Sequence, residues 1–248
     1  PPGVTGVFAG GIITISGTPT STVGSPFTYT VTTTGPCVIP TTTGTITVNP
    51  DASIVLTSAG PTTSQELCRN SAIIDITYAI AGGGTGAGVV FSPALPGVTG
   101  IYAGGVFTIS GSPTLAGLFN YTVTTTGTCV QNSLSGTILV NPLPTAAFTY
   151  TAPSCETRVI NFTDGSIPNV GALDLWNWDF GDPASGPLNT SGLQNPSHIF
   201  TTAGPYTVTL TVRNDKGCIS NPIASTVVNI DNRPQAGFIV PDVCLSDT

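Results

Sequence analysis

Six cysteines, one histidine and a close pair of aspartates are the residues of this 248-residue chain best suited to chemistry. The cysteines form two periodic sets. Cys68, Cys155 and Cys244 each follow a strand-like run near the start of a unit, at spacings of 87 and 89 residues. Cys37, Cys129 and Cys218 each follow a long alternating run near the end of one, at spacings of 92 and 89. Spacing alone does not define connectivity. The simplest pairing is Cys68–Cys129 and Cys155–Cys218, one staple per unit, with Cys37 and Cys244 unpaired because their units are cut. Six free buried thiols are the alternative, and the regular spacing argues against it. Disulfides imply an oxidising, extracellular setting. Each would close a loop of about 60 residues and add roughly 2–4 kcal/mol.

Asp179 and Asp182 share one turn. Acid–base catalysis would need two carboxylates with separated pKa values, and calcium would need six to eight oxygens. A structural role is the stronger reading, because Asp caps turns by accepting backbone N–H groups. His198 has no complementary nucleophile or ligand set once the cysteines are bridged. The Gly82–Gly88 run is followed by Pro93 and Pro96, where a phosphate loop would need a helix, so it reads as a flexible connection. Trp176 and Trp178 share one strand face. Trp178 reads as core, and Trp176 as core in preference to a sugar-stacking ring. Asn120, Asn161 and Asn189 fit the glycosylation pattern by composition, and no role is assigned to them. No catalytic, cofactor or metal site is expected, and the segment is not read as an enzyme.

The elements that position these residues repeat. GVTGVFAGGIITISGTPT at 3–20 returns as GVTGIYAGGVFTISGSPT at 97–114, and TVTTTGPC at 30–37 returns as TVTTTGTC at 122–129. The offsets of 94 and 92 put a two-residue length change in a loop. A period near 90 residues suits a small domain. Phe27, Tyr29 and Val31 alternate with threonines, as do Tyr206, Val208, Leu210 and Val212, the pattern of strands with one buried face. Strands are expected at Ser53–Leu56, Ile73–Tyr78, Val106–Ile109, Leu118–Thr125 and Thr137–Val140. In the following unit they are expected at Ala147–Tyr150, Val159–Phe162, Leu175–Phe180, Tyr206–Val212 and Ser225–Ile230. The fold class is all-β, in tandem antiparallel immunoglobulin-like β-sandwich modules. Residues 1–50 are the C-terminal half of one module and 51–142 a complete one. Residues 143–231 are a second complete module of different type, and 232–248 begin another. The chain has no Met and opens PPGVTG, so it reads as an internal piece of a longer polypeptide.

Residues 143–231 carry WNWDFGD at 176–182 and NPSHIFTTAGPYTVTLTVRN at 195–214. This stretch resembles a PKD (polycystic kidney disease) domain, whose W-D-F-G-D turn matches Trp178, Asp179, Phe180, Gly181 and Asp182. Pro196, His198, Phe200, Gly204, Tyr206, Val208, Leu210 and Val212 match the rest of its pattern, and the place of His198 in it implies a buried hydrogen-bonding role. Pro183, where that family usually has Gly, bears on the geometry of the turn. Residues 2–33 and 96–125 resemble the immunoglobulin- or cadherin-like repeats of bacterial surface proteins. The combination is similar to the large surface proteins of Bacteroidetes, including gliding adhesins and type nine secretion cargo. The resemblance implies spacers, adhesive stalks or fibre components.

Composition bounds the rest. Charged residues make up 7% of the chain and the formal net charge is −7. Nothing could neutralise a run of phosphates, so nucleic acid is excluded as a partner. No apolar run reaches the 18 residues of a membrane span. The single lysine, Lys216, leaves neutral threonine-lined edges where most β proteins place charges. The expected function is a structural segment of a secreted, multi-module surface adhesin or extracellular filament. The alternative is a set of substrate-binding or spacer modules of a secreted polysaccharide- or protein-degrading enzyme. The expected partners are neighbouring modules of the same chain; identical chains in a fibre and surface glycans are the others this reading admits.

Overall fold

The computed structural model describes residues 1–152 and 154–237. It is built of antiparallel β-sheets with two short 3-10 turns. The chain divides into two compact units, one of residues 1–66 with 70–139, the other of 67–69 with the chain from 140 onward.

In the first unit, β1 (Val4–Ala9) and β2 (Ile12–Gly17) form a hairpin from Val4↔Gly17 to Ala9↔Ile12. Its turn is Gly10-Gly11, with φ of 59° and 84°, the left-handed pair that a two-residue hairpin loop demands. β3 (Phe27–Thr32) pairs with β4 (Thr41–Ile46). The chain continues through β5 (Ala52–Leu56), β6 (Ser64–Cys68), β7 (Ile76–Gly82) and β8 (Gly84–Ser92). It ends with β9 (Val98–Ala103), β10 (Val106–Gly111), β11 (Gly117–Gly127) and β12 (Ser133–Asn141). These eight strands make two sheets, ordered β5-β7-β10-β9 and β6-β12-β11-β8. Period-two alternation sends Phe119, Tyr121 and Val123 of β11 inward and leaves Asn120 and Thr124 outward. Ile76, Tyr78, Phe107, Ile109 and Ile138 join them in burial. The Tyr78 and Tyr121 hydroxyls hydrogen-bond at 3.0 Å, satisfying two polar groups inside an apolar core.

One expectation is corrected here. The glycine-rich run read as a flexible connection is the start of strand β8, which pairs with β11 from Ser92↔Asn120 to Gly86↔Thr126. Glycine serves close packing rather than flexibility: a Cβ on Gly84 would press on Ile80, and one on Gly86 on the Thr126 hydroxyl. Such approach is a recognised reason for glycine in a strand interior.

The second unit contains β13 (Phe148–Tyr150), β14 (Val159–Asp164), β15 (Leu173–Asp179), β16 (Thr190–Ser191), β17 (Ser197–Ile199), β18 (Gly204–Asn214) and β19 (Ala224–Ile230). They form sheets ordered β13-β14-β17 and β16-β15-β18-β19. Ile160, Phe162, Trp178, Phe180, Phe200, Val208, Leu210, Val212, Val228 and Ile230 make its core. Trp178 packs edge-on to Phe148 at 5.1 Å and tilted to Phe162 at 5.7 Å, geometries that aromatic quadrupoles favour. Residues 238–248, with Cys244, lie outside the described residues.

Candidate functional site

The turn after β15 brings the two aspartates to different tasks. Asp179 accepts the Gly181 N–H at 2.8 Å and the Asn189 side-chain amide at 3.0 Å. It closes the turn as a short acceptor does. Gly181 takes φ +68°, and a Cβ there would meet the Thr207 backbone. Pro183 then opens a 3-10 helix, Pro183–Asn189, whose fixed φ suits that first position. Asp182 instead turns inward. Its Oδ2 lies 3.0 Å from His198 Nε2, and both side chains are almost fully enclosed. The Asp182 N–H donates to Asn189 Oδ1 at 2.6 Å, so Asn189 ties both aspartates together. The His198 ring stacks on Phe180 at 4.4 Å and stands edge-on to Phe200 at 4.6 Å. Phe200 contacts Tyr206, whose hydroxyl reaches Thr202.

A His–Asp pair becomes a general base when it faces a nucleophile within hydrogen-bond reach. Here the imidazole is packed between aromatic rings and bonded to the carboxylate, so the geometry latches β17 to the turn after β15. Among the described residues, no group of three His, Cys, Asp or Glu side chains is placed to hold a metal. Trp178 is fully buried and donates its indole N–H to the Leu193 carbonyl at 2.9 Å. Trp176 donates to Asp164 at 2.8 Å and packs against the core, which removes it as a free stacking platform. The partner of His198 was missed in the sequence. The available signal was that two aspartates stood where the turn needs one.

The cysteines give the main correction. Cys68 is bonded to Cys218, with Cα atoms 5.5 Å apart and a sequence separation of 150. Cys37, Cys129 and Cys155 are free thiols. The expected pairs Cys68–Cys129 and Cys155–Cys218 do not form, and strand direction is the reason. Cys129 sits in the loop before β12, whereas Arg69, the residue after Cys68, donates its N–H to Asn141 at the far end of β12. Nine extended residues rise about 27–30 Å, and a disulfide needs Cα atoms within about 7 Å. The second unit repeats the relation. Cys218 precedes β19, while Cys155 bridges Asp231 just past that strand's end. The tripeptide Leu67–Arg69, inside residues 51–142 by sequence, belongs to the second unit in space.

A family model described as PKD domain matches residues 141–230. The PKD1 domain of Vibrio anguillarum Epp is 28% identical over 38% of this chain and 99% of that chain, with a TM-score of 0.32. The PKD1 domain of the Vibrio cholerae metalloprotease PrtV is also 28% identical, over 36% of this chain and 98% of that one, with a TM-score of 0.31. The I-band fragment I67–I69 of titin covers 94% of this chain and 83% of its own at 12% identity, with a TM-score of 0.52. That likeness is one of fold: tandem, immunoglobulin-like and all-β. Modules of the PKD and immunoglobulin-like kinds are typically non-catalytic, and a PKD domain with a disulfide is typical of extracellular proteins. Among the described residues no helix is long and apolar enough to cross a membrane.

Proposed function

We propose that this chain is a structural segment of a secreted, multi-module surface adhesin or extracellular filament, of the kind found in Bacteroidetes. In this reading, residues 1–50 end one immunoglobulin-like module, 51–142 form a complete one, 143–231 form a PKD module and 232–248 begin another. The observation that carries the reading is the Cys68–Cys218 bond, which links a residue of 51–142 to a residue of 143–231 instead of closing either stretch on itself. Such a bond keeps the residues between its ends from extending under tension, which is mechanical work. The sparse charge supports the same reading, since threonine-rich surfaces with few charged groups can pack side by side with little local repulsion.

The alternative, modules that present a hydrolase to an insoluble substrate, wants a strip of exposed aromatic rings. Among the described residues Phe8 alone is an exposed aromatic. Electron microscopy of the purified protein tests the proposal. Filaments or laterally packed assemblies are expected, and isolated monomers at all concentrations would refute it.

A further inference from the structure

Three places in the chain carry parts of one local arrangement, and each lies at or just past the end of a strand, β4, β12 or β19. They are Val48-Asn49-Pro50, Val140-Asn141-Pro142 and Ile230-Asp231-Asn232. At the middle place both halves of a staple are present. The strand half is Cys68, held because Arg69 N–H donates to the Asn141 carbonyl at 2.9 Å. The loop half is Cys218, between β18 and β19, and the two sulfurs are bonded.

The other two places each hold one half. At the third, Glu156 N–H donates to the Asp231 carbonyl at 3.0 Å. Cys155 therefore precedes its donor as Cys68 precedes Arg69. At the first, Cys129 occupies the loop between β11 and β12 as Cys218 occupies that between β18 and β19. Its Sγ lies 3.6 Å from the Asn49 carbonyl, and Ala52 N–H donates to the Val130 carbonyl at 3.0 Å. The clefts agree. At the middle place, Asn221 and Pro222 of the Cys218 loop line a cleft of about 300 Å³ with Arg69, Leu143 and Pro144. At the third, Cys155, Glu156, Arg233 and Pro234 line a cleft of about 310 Å³ from the strand side.

We infer that Cys129 and Cys155 are the two half-staples of further junctions. Each is built to bond a cysteine in an adjacent module of the same polypeptide, about 150 residues away as in the Cys68–Cys218 pair. Cys155 takes a loop cysteine of the module after it, and Cys129 a strand cysteine of the module before it. This inference rests on the array reading above and adds a rule to it: disulfides tie each sequence repeat to the next and none closes a repeat on itself. Each bond forms as two thiols give up two protons and two electrons to a protein disulfide oxidant of the exporting compartment, whose own disulfide is reduced to two thiols.

Peptide mapping of the natural protein, alkylated before reduction, tests this. The expected result is that Cys129 and Cys155 resist alkylation until reduction, and that each is recovered linked to a peptide other than those of Cys68, Cys218 or each other. Free thiols at both positions beside an intact Cys68–Cys218 bond would overturn the inference and leave the array itself standing. A Cys129–Cys155 peptide from a covalent dimer would overturn it in favour of a second copy. A Cys68–Cys129 peptide would overturn it in favour of closure within a module.

Discussion

Residues 3–17 and 97–111 are one hairpin written twice, and the two copies live in different surroundings. Their registers coincide, Val4↔Gly17 through Ala9↔Ile12 against Val98↔Gly111 through Ala103↔Val106. The turn glycines match as well, at 59° and 84° for Gly10 and Gly11 against 56° and 84° for Gly104 and Gly105. Burial does not match. Ile13 is 44% exposed where Phe107 is 1% exposed. Phe27, Tyr29 and Val31 are half-covered, while their counterparts Phe119, Tyr121 and Val123 are fully enclosed. The second copy is flanked by β7 in one sheet, and its companion strands by β6 and β8 in the other. The first copy stands as isolated two-stranded ladders. Hairpin shape is thus written locally, in glycine pairs and alternation, whereas burial is conferred by the early strands of a module. Two-stranded ladders alone are marginal in water.

This contrast is open to attack by substitution. Phe107→Ala should destabilise the first unit by about 3–5 kcal/mol, and Ile13→Ala, at a mostly solvated position, by less than about 1 kcal/mol. Chemical denaturation of both variants checks the difference, and equal losses would break the comparison. Tyr121→Phe should cost about 1–3 kcal/mol, because it strands the buried Tyr78 hydroxyl. Tyr29→Phe should leave the denaturation midpoint within error.

Alkali sharpens the same contrast. Burial is the main force raising the pKa of both Tyr78 and Tyr121 above the ordinary 10.0. A folded-state value above the unfolded one gives stability that is complete below pH 10 and is lost as pH rises beyond it. The midpoint of the first unit should therefore fall on titration above pH 10, and Tyr78→Phe/Tyr121→Phe should flatten the fall. A matched effect is expected in Gly17→Ala and Gly111→Ala. Both glycines have φ near 130°, and an added Cβ at each would strike the backbone of the facing strand. The strain is local, so amide exchange within each hairpin should quicken by a similar factor in the two copies.

Much of this was legible in the sequence. Alternation at Tyr206–Val212 and Phe119–Val123 reports a strand with one buried face wherever it occurs. The same rule misleads at Gly84 and Gly86, where glycines needed for close approach carry no side chains to alternate. The short β6 has too weak a pattern in Ser64–Cys68 to be seen before its partners are known. The aspartates were half read: the turn acceptor is Asp179, while Asp182 owes its place to His198, sixteen residues on. The disulfide was misread for a geometric reason. Pairing within modules and pairing across them are equally periodic, and only the direction of β12 and β19 separates them.

Single-molecule stretching of the oxidised chain between its termini tests the central claim, that one staple links residues 51–142 to residues 143–231 and holds the chain between its ends. With Cys68–Cys218 intact, the intervening residues stay behind the bond. Reduction should lengthen the fully extended chain in a single gain of about 500 Å, from roughly 3.3–3.6 Å for each of about 150 residues. No gain on reduction, or two separate gains of about 200 Å each from loops closed inside single modules, would contradict the account.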